Sequence, residues 1–159
     1  MNGGRPNNFQ ERGNIDQGSD ILMHFDKIKN IVGAAKEDYN AITNEAEQIA
    51  RKLNMNSTKL RKFYNHVKKI DLAGIKDESQ VEKILRRELN KFVALMFYDV
   101  GRETGKESKA LSNFAKGMKN VVENIKIKQG QDIKKSFELF MDFFEALVAF
   151  HKYYEKERN

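Results

Sequence analysis

Lys59, Arg61, Lys62, Lys68 and Lys69 stand within the fourteen residues STKLRKFYNHVKKI, 57–70, together with His66 and no acidic residue. Ammonium and guanidinium groups spaced one helical turn apart, about 5–6 Å, can meet successive phosphates of a nucleic acid. Affinity gained in that way depends on salt and carries no sequence choice. The charge is also local. Residues 1–56 hold 7 basic and 8 acidic groups and residues 71–159 hold 17 and 15, so most of the net charge of +6 sits in this one segment.

Other chemistry is hard to assemble from this chain. There is no cysteine, which excludes disulfides, thiolate metal sites and a cysteine nucleophile and fits a reducing compartment. His24, His66 and His151 lie far apart without HExxH or similar spacing, so no metal site is expected. The string GRETGKE from Gly101 is close to a phosphate-binding loop. It has three residues between its glycines where that motif has four, however, and it ends in Glu instead of Ser or Thr. Glu145 and His151 share the apolar last segment but point about 240° apart on a helix of 3.6 residues per turn, so they do not converge. No nucleophile, base and oxyanion site comes together, and neither a cofactor nor a small-molecule substrate is expected.

The elements that must carry the basic run are helical. One proline, no Trp and 33% charged residues suit helices, and 159 residues suffice for one hydrophobic core. Residues 1–19 are rich in Gly, Asn, Gln and Arg without an apolar period and read as a disordered polar tail; residues 20–159 read as a single helical domain. Within it, Ile21, Leu22, Phe25, Ile28, Ile31 and Val32 keep helical spacing up to Gly33. A second helix is expected over about 38–53, and Asn56 or Ser57 caps a third that runs to about Ile70. Residues 79–100 form a fourth closed by Gly101, and residues 108–128 a fifth; after Gly130 comes an aromatic-rich last helix over 137–154. The fold class is all-α, a compact bundle of five to six helices with a flexible N-terminal tail.

On the third helix Leu60, Phe63, Tyr64, Val67 and Ile70 share one face, which packs inward. Lys59, Lys62, His66 and Lys69 form one outward row, and Arg61, Asn65 and Lys68 an adjacent one, with no carboxylate from the same segment to neutralise either. A surface that only solubilises usually interleaves acids at i,i+4, so the pattern favours a polyanion partner. A membrane is the weaker choice, because a helix lying on lipid needs its apolar face free. No run of about 18 apolar residues and no apolar leader core is present, which points to a cytoplasmic protein. The last helix, with Phe143, Phe150 and Tyr154, is expected to hide apolar surface by self-association.

Three stretches resemble one known family, the small subunit of the type III-A CRISPR RNA-guided interference (Csm) complex. STKLRKFYNHVKKI at 57–70 is similar to its Thr-Ser-x-Leu-Arg-Lys-Phe/Leu-Tyr-x-x-Val helix. FYDVGRE at 97–103 is similar to its Tyr-x-x-Gly-Arg element. FMDFFEALVAFHKYYEK at 140–156 is similar to its Phe-x-x-Phe ending with Glu-Ala and Val-Ala-Tyr/Phe-His-Lys. The resemblance implies a non-catalytic, all-helical subunit of an antiviral ribonucleoprotein, stacked in several copies along an inner filament that lines the guide and target RNA. Its partners would be those RNAs, further copies of itself, and the backbone and large subunits of the complex, with no membrane. By match to the family's basic helix, Lys59, Arg61, Lys62, Asn65, Lys68 and Lys69 become the RNA-contacting group, and Arg102 joins them from the Gly-Arg element. Where the family has a Lys-Pro pair before the tyrosine this chain reads FVALMF, so Arg86, Arg87 and Lys91 are the upstream substitutes. The competing reading is a helical adaptor whose basic face docks on an acidic partner protein without RNA contact.

Overall fold

The fold is described from a computed structural model, with the backbone given over residues 6–158 and side chains over residues 20–158. Six helices follow in order: α1 Pro6–Gly33, α2 Tyr39–Lys52, α3 Ser57–Lys68, α4 Glu78–Arg102, α5 Ser108–Lys126 and α6 Gly130–Arg158. Among the described residues there is no strand. The bundle is all-α, as its spacing indicates. Of the residues 1–19 read as a polar tail, 1–5 lie outside the described ones, and 6–19 have their backbone in α1.

The helix ends follow local chemistry. Asp38 caps α2 by accepting from the Ala41 amide at 3.1 Å, and Asn56 caps α3 by accepting from the Thr58 and Lys59 amides at 2.6 and 3.3 Å. α1 ends at Gly33 as expected, and one expected stop is displaced. α4 does not close at Gly101 but continues to Arg102, and Glu103 leaves in extended conformation. After Gly33 the chain reverses at Ala35, φ 52°, where the Ala35 amide donates to Val32 O and the Lys36 amide to Ile31 O. That is the hydrogen-bond pattern of a helix stop that usually employs glycine. Gly130 has φ 57° and opens α6, which therefore begins well before Phe137. Its amide donates to the Glu82 carboxylate, which is held below the usual carboxylate range by that bond first, and by Arg86 beside it.

α6 touches every other helix and forms the centre of the bundle. Phe140, Phe143 and Phe144 are fully buried and Phe137 nearly so; each such side chain contributes about 1.5–3 kcal/mol of transfer free energy. Their rings join those of Phe25, Phe63, Tyr64, Phe92 and Phe114 in one aromatic cluster, with edge contacts such as Phe25–Phe143 at 6.1 Å and Tyr64–Phe144 at 5.4 Å. The three residues singled out on this helix differ in burial. Phe143 has no solvent access, and the Tyr154 hydroxyl donates to Glu47 at 2.7 Å and accepts from Arg51 Nε at 2.9 Å. Phe150 and Tyr154 are half-buried and Tyr153 is 57% exposed, so the end of α6 keeps some apolar surface open.

α1 lies against α5 and α2. The approach to α5 is close because position 117 is glycine: a Cβ there would stand 2.3 Å from the Phe25 ring. Two polar ties clasp the same layer, His24 with Glu45 of α2, and Asn124 Nδ2 donating to Lys29 O at 3.0 Å.

Candidate nucleic-acid interface

α3 buries Leu60, Phe63, Tyr64 and Val67, as its spacing indicates. Its start is fixed from outside the helix. Glu155 of α6 accepts from the Ser57 amide at 2.9 Å and from the Ser57 hydroxyl at 2.8 Å, and Glu107 accepts from the Asn56 amide. Two carboxylates thus meet the positive end of the helix dipole. The Ser57 bonds hold the Glu155 carboxyl below its ordinary range. On the preceding turn, His151 Nε2 donates to Leu53 O at 3.1 Å, and Arg158 donates to Leu53 O, Ala50 O and Arg51 O at the end of α2. His151 is fully buried and Glu145 exposed, so the two do not form an acid–base pair.

The two outward rows of α3 have different surroundings. Lys59 Nζ lies 2.6 Å from Oε2 of Glu103, the residue that caps the end of α4, and Lys62 Nζ 2.7 Å from Asp99 Oδ2 in α4. His66 stacks on Phe92 with ring centroids 6.2 Å apart, and its Nε2 is buried without a partner. The expectation that this row lacks carboxylates is therefore wrong for Lys59 and Lys62. Their partners stand 44 and 37 residues away in the chain, beyond the reach of a local charge pattern. Lys69, at the end of the row, is exposed and has no ion-pair partner among the described residues, and the same holds for Arg61 and Lys68 in the adjacent row. Asn65 is exposed between them, and Lys68 Nζ lies 5.6 Å from the Tyr64 ring centroid.

The cations proposed on α4 also divide. Arg86 is turned inward: Nε donates to Lys126 O at 3.0 Å, Nη2 to Lys128 O at 2.7 Å, and Nη1 to Glu82 at 3.2 Å. It closes the carbonyl end of α5, and its donors are used within the fold. Arg87, Lys91, Tyr98 and Arg102 share an exposed stripe roughly 60° wide at 3.6 residues per turn. Lys91 stands 3.8 Å from Glu88, and Arg87 and Arg102 have no carboxylate partner among the described residues. Arg102 lies over the Tyr98 ring at 5.4 Å. Asp99 and Glu103 flank that stripe on the side of α3, so Lys59, Lys62, Asp99, Arg102 and Glu103 line one shallow pocket of about 190 Å³. Glu103 is held below the ordinary carboxylate range, first by the Lys59 hydrogen bond and then by the Gly105 amide.

Three members of this site, Tyr98, Asp99 and Glu103, carried no role in the sequence reading. Tyr98 was traceable through its i,i+4 spacing to Arg102, but the two acids only become visible once α3 and α4 are side by side. Among the described residues, no group of three or more His, Asp or Glu side chains is placed to hold a metal ion, and no helix is long and apolar enough to cross a membrane.

A model of the family described as Csm2 Type III-A matches residues 36–157, which take in α2 to α6 and the whole of this surface. The chain belongs to that family and is a small subunit of a type III-A Csm complex, so it assembles with other Csm subunits. No curated protein and no solved structure matches the chain.

Proposed function

We propose that this subunit binds the backbone of guide and target RNA without sequence choice and scaffolds the complex around it in the cytoplasm, performing no catalysis itself. Its partners are those RNAs, further copies of the same chain, and the backbone and large subunits. One observation carries the reading: Arg61 and Lys68 on α3 and Lys69 at its C-terminal cap are exposed and have no carboxylate partner among the described residues, although their neighbours Lys59 and Lys62 have one. An array of cations left without intramolecular counterions is matched by phosphates. Asn65 adds a neutral donor between them, and Arg87, Lys91 and Arg102 extend the surface along α4. Lys59 and Lys62 add hydrogen-bond donors but little net charge, since Glu103 and Asp99 already neutralise them.

The test is the salt dependence of RNA binding by the assembled complex and by the full chain. Log affinity falls with log salt by about 0.7 for each phosphate met on a single strand. Replacing Arg61, Lys68 and Lys69 together by Glu removes about 2 from that slope and weakens binding across all sequences alike. A wild-type affinity indifferent to salt refutes the proposal. If the triple variant fails to join its partner subunits while a preassembled complex captures RNA undiminished, α3 docks on an acidic protein surface instead.

A further inference from the structure

Tyr98 is an exposed aromatic on α4, with 63% of its surface open to solvent. It is not an isolated surface residue: Arg102, one turn on, lies against its ring at 5.4 Å, and the pocket of Lys59, Lys62, Asp99 and Glu103 begins beside it. That pocket is poorly made for a phosphate. Two carboxylates stand in it, which repel an anion, and three cations against them leave one net positive charge. Its lining alternates donors with acceptors. The Lys62 ammonium lies 2.7 Å from Asp99 Oδ2, and the Lys59 ammonium 2.6 Å from Glu103 Oε2, whose Oε1 accepts from the Gly105 amide at 3.0 Å. A lining of this kind complements a neutral group whose edge also alternates donors and acceptors, and whose flat face can lie on an aromatic ring. An unpaired nucleobase has both properties, and RNA recognition commonly stacks such bases on tyrosine and on arginine guanidinium planes.

We infer that Tyr98 and Arg102 form a stacking platform for an unpaired RNA base whose edge lies in the Lys59–Lys62–Asp99–Glu103 pocket. This rests on the RNA-binding reading and adds a distinct element to it: the α3 cations hold the strand by its phosphates, and the α4 platform holds a base displaced from pairing. Because every base has a flat face and a mixed edge, the platform tolerates any sequence.

The experiment uses the full chain and two RNAs of equal length, a fully paired duplex and the same duplex with one bulged 2-aminopurine. The wild-type chain binds the bulged RNA about tenfold more tightly, since base–aromatic stacking is worth this much or more, and quenches its fluorescence. Tyr98→Ala loses both the preference and the quenching while its salt slope is unchanged; Tyr98→Phe keeps all three. The exposure of Tyr98 keeps folding out of the comparison, and an unchanged thermal melt verifies that. If Tyr98→Ala binds and quenches like the wild type while Arg61→Glu with Lys68→Glu still weakens binding, the platform is refuted and backbone binding stands. If Tyr98→Ala impairs only assembly with protein partners, the ring is a subunit contact and the inference is overturned. If neither RNA binds the wild-type chain, both readings fall.

Discussion

Glu155, one turn before the end of the last helix, accepts hydrogen bonds from both the amide and the hydroxyl of Ser57, the first residue of the basic helix, at 2.9 and 2.8 Å. The last helix is thereby tied to the start of α3, and the position of the α3 cations depends on a carboxylate 98 residues away. The remaining ties at this corner, His151 and Arg158 to the end of α2 and Glu107 to Asn56, act in the same sense.

Glu155→Ala removes this anchor. Loss of a charged cap at a helix start costs about 1–2 kcal/mol, which lowers Tm by about 2–8 °C in a chain of this size. Amide exchange at Thr58 and Lys59 accelerates more than exchange in the α6 core. Ser57→Ala, which removes only the hydroxyl, costs less. Equal exchange rates in wild type and Glu155→Ala contradict the anchoring role. Because the folded-state carboxyl is held low by Ser57, its contribution is present above the usual glutamate pKa and is lost as pH falls through the folded value.

His151 makes a separate prediction in pH. Burial pushes its pKa below the ordinary histidine value, and its Nδ1 is buried without a hydrogen-bond partner. The unfolded chain takes up the proton near 6.5, before the folded one does. Stability from the neutral ring is therefore whole above that value and declines as pH drops from it towards the folded pKa. Thermal melts between pH 7.5 and 5 should show a shallower decline for His151→Gln than for the wild type. Parallel curves would mean that the ring titrates alike in both states.

Gly117→Ala tests the α1–α5 approach. The new methyl meets the buried Phe25 ring at 2.3 Å, so the ring or the helix must move. Overpacking of this kind costs about 1–3 kcal/mol, against a gain of up to about 1 kcal/mol in helix propensity. The expected balance is a loss of about 1–2 kcal/mol, read from chemical denaturation at unchanged m-value. A variant more stable than the wild type shows that α1 is less tightly seated than these distances imply.

Ala35→Gly should act in the opposite direction. Ala35 holds the left-handed position of the α1 stop, which costs a residue with a Cβ about 1–2 kcal/mol. Glycine removes that cost but loses about 0.5–1 kcal/mol to greater freedom in the unfolded chain. A net gain of roughly 0.5 kcal/mol raises Tm by about 1–2 °C, and a fall in Tm refutes the strain at this turn.

Local patterns in the sequence settle much of this molecule. Apolar spacing defines the helices, Asn56 the start of α3, and Leu60, Phe63, Tyr64 and Val67 its buried face, because periodicity and capping are properties of neighbours in the chain. The family likeness is carried by strings just as short, and the match over residues 36–157 establishes the family. The state of each charge was not legible in the same way. Lys59 and Lys62 stand unopposed in the sequence until α4 and its C-terminal cap bring Asp99 and Glu103 to them, and Arg86 stands available until α5 ends against it. Electrostatic pairing depends on distance in space, and residues 37 to 44 apart in the chain become neighbours only when packed helices bring them together. The sequence alone thus determined which residues are cations and which side of their helix faces out; the tertiary structure decided that Arg61, Lys68 and Lys69 are the cations of this segment left without a carboxylate among the described residues, and that Tyr98 stands beside the pocket their neighbours line.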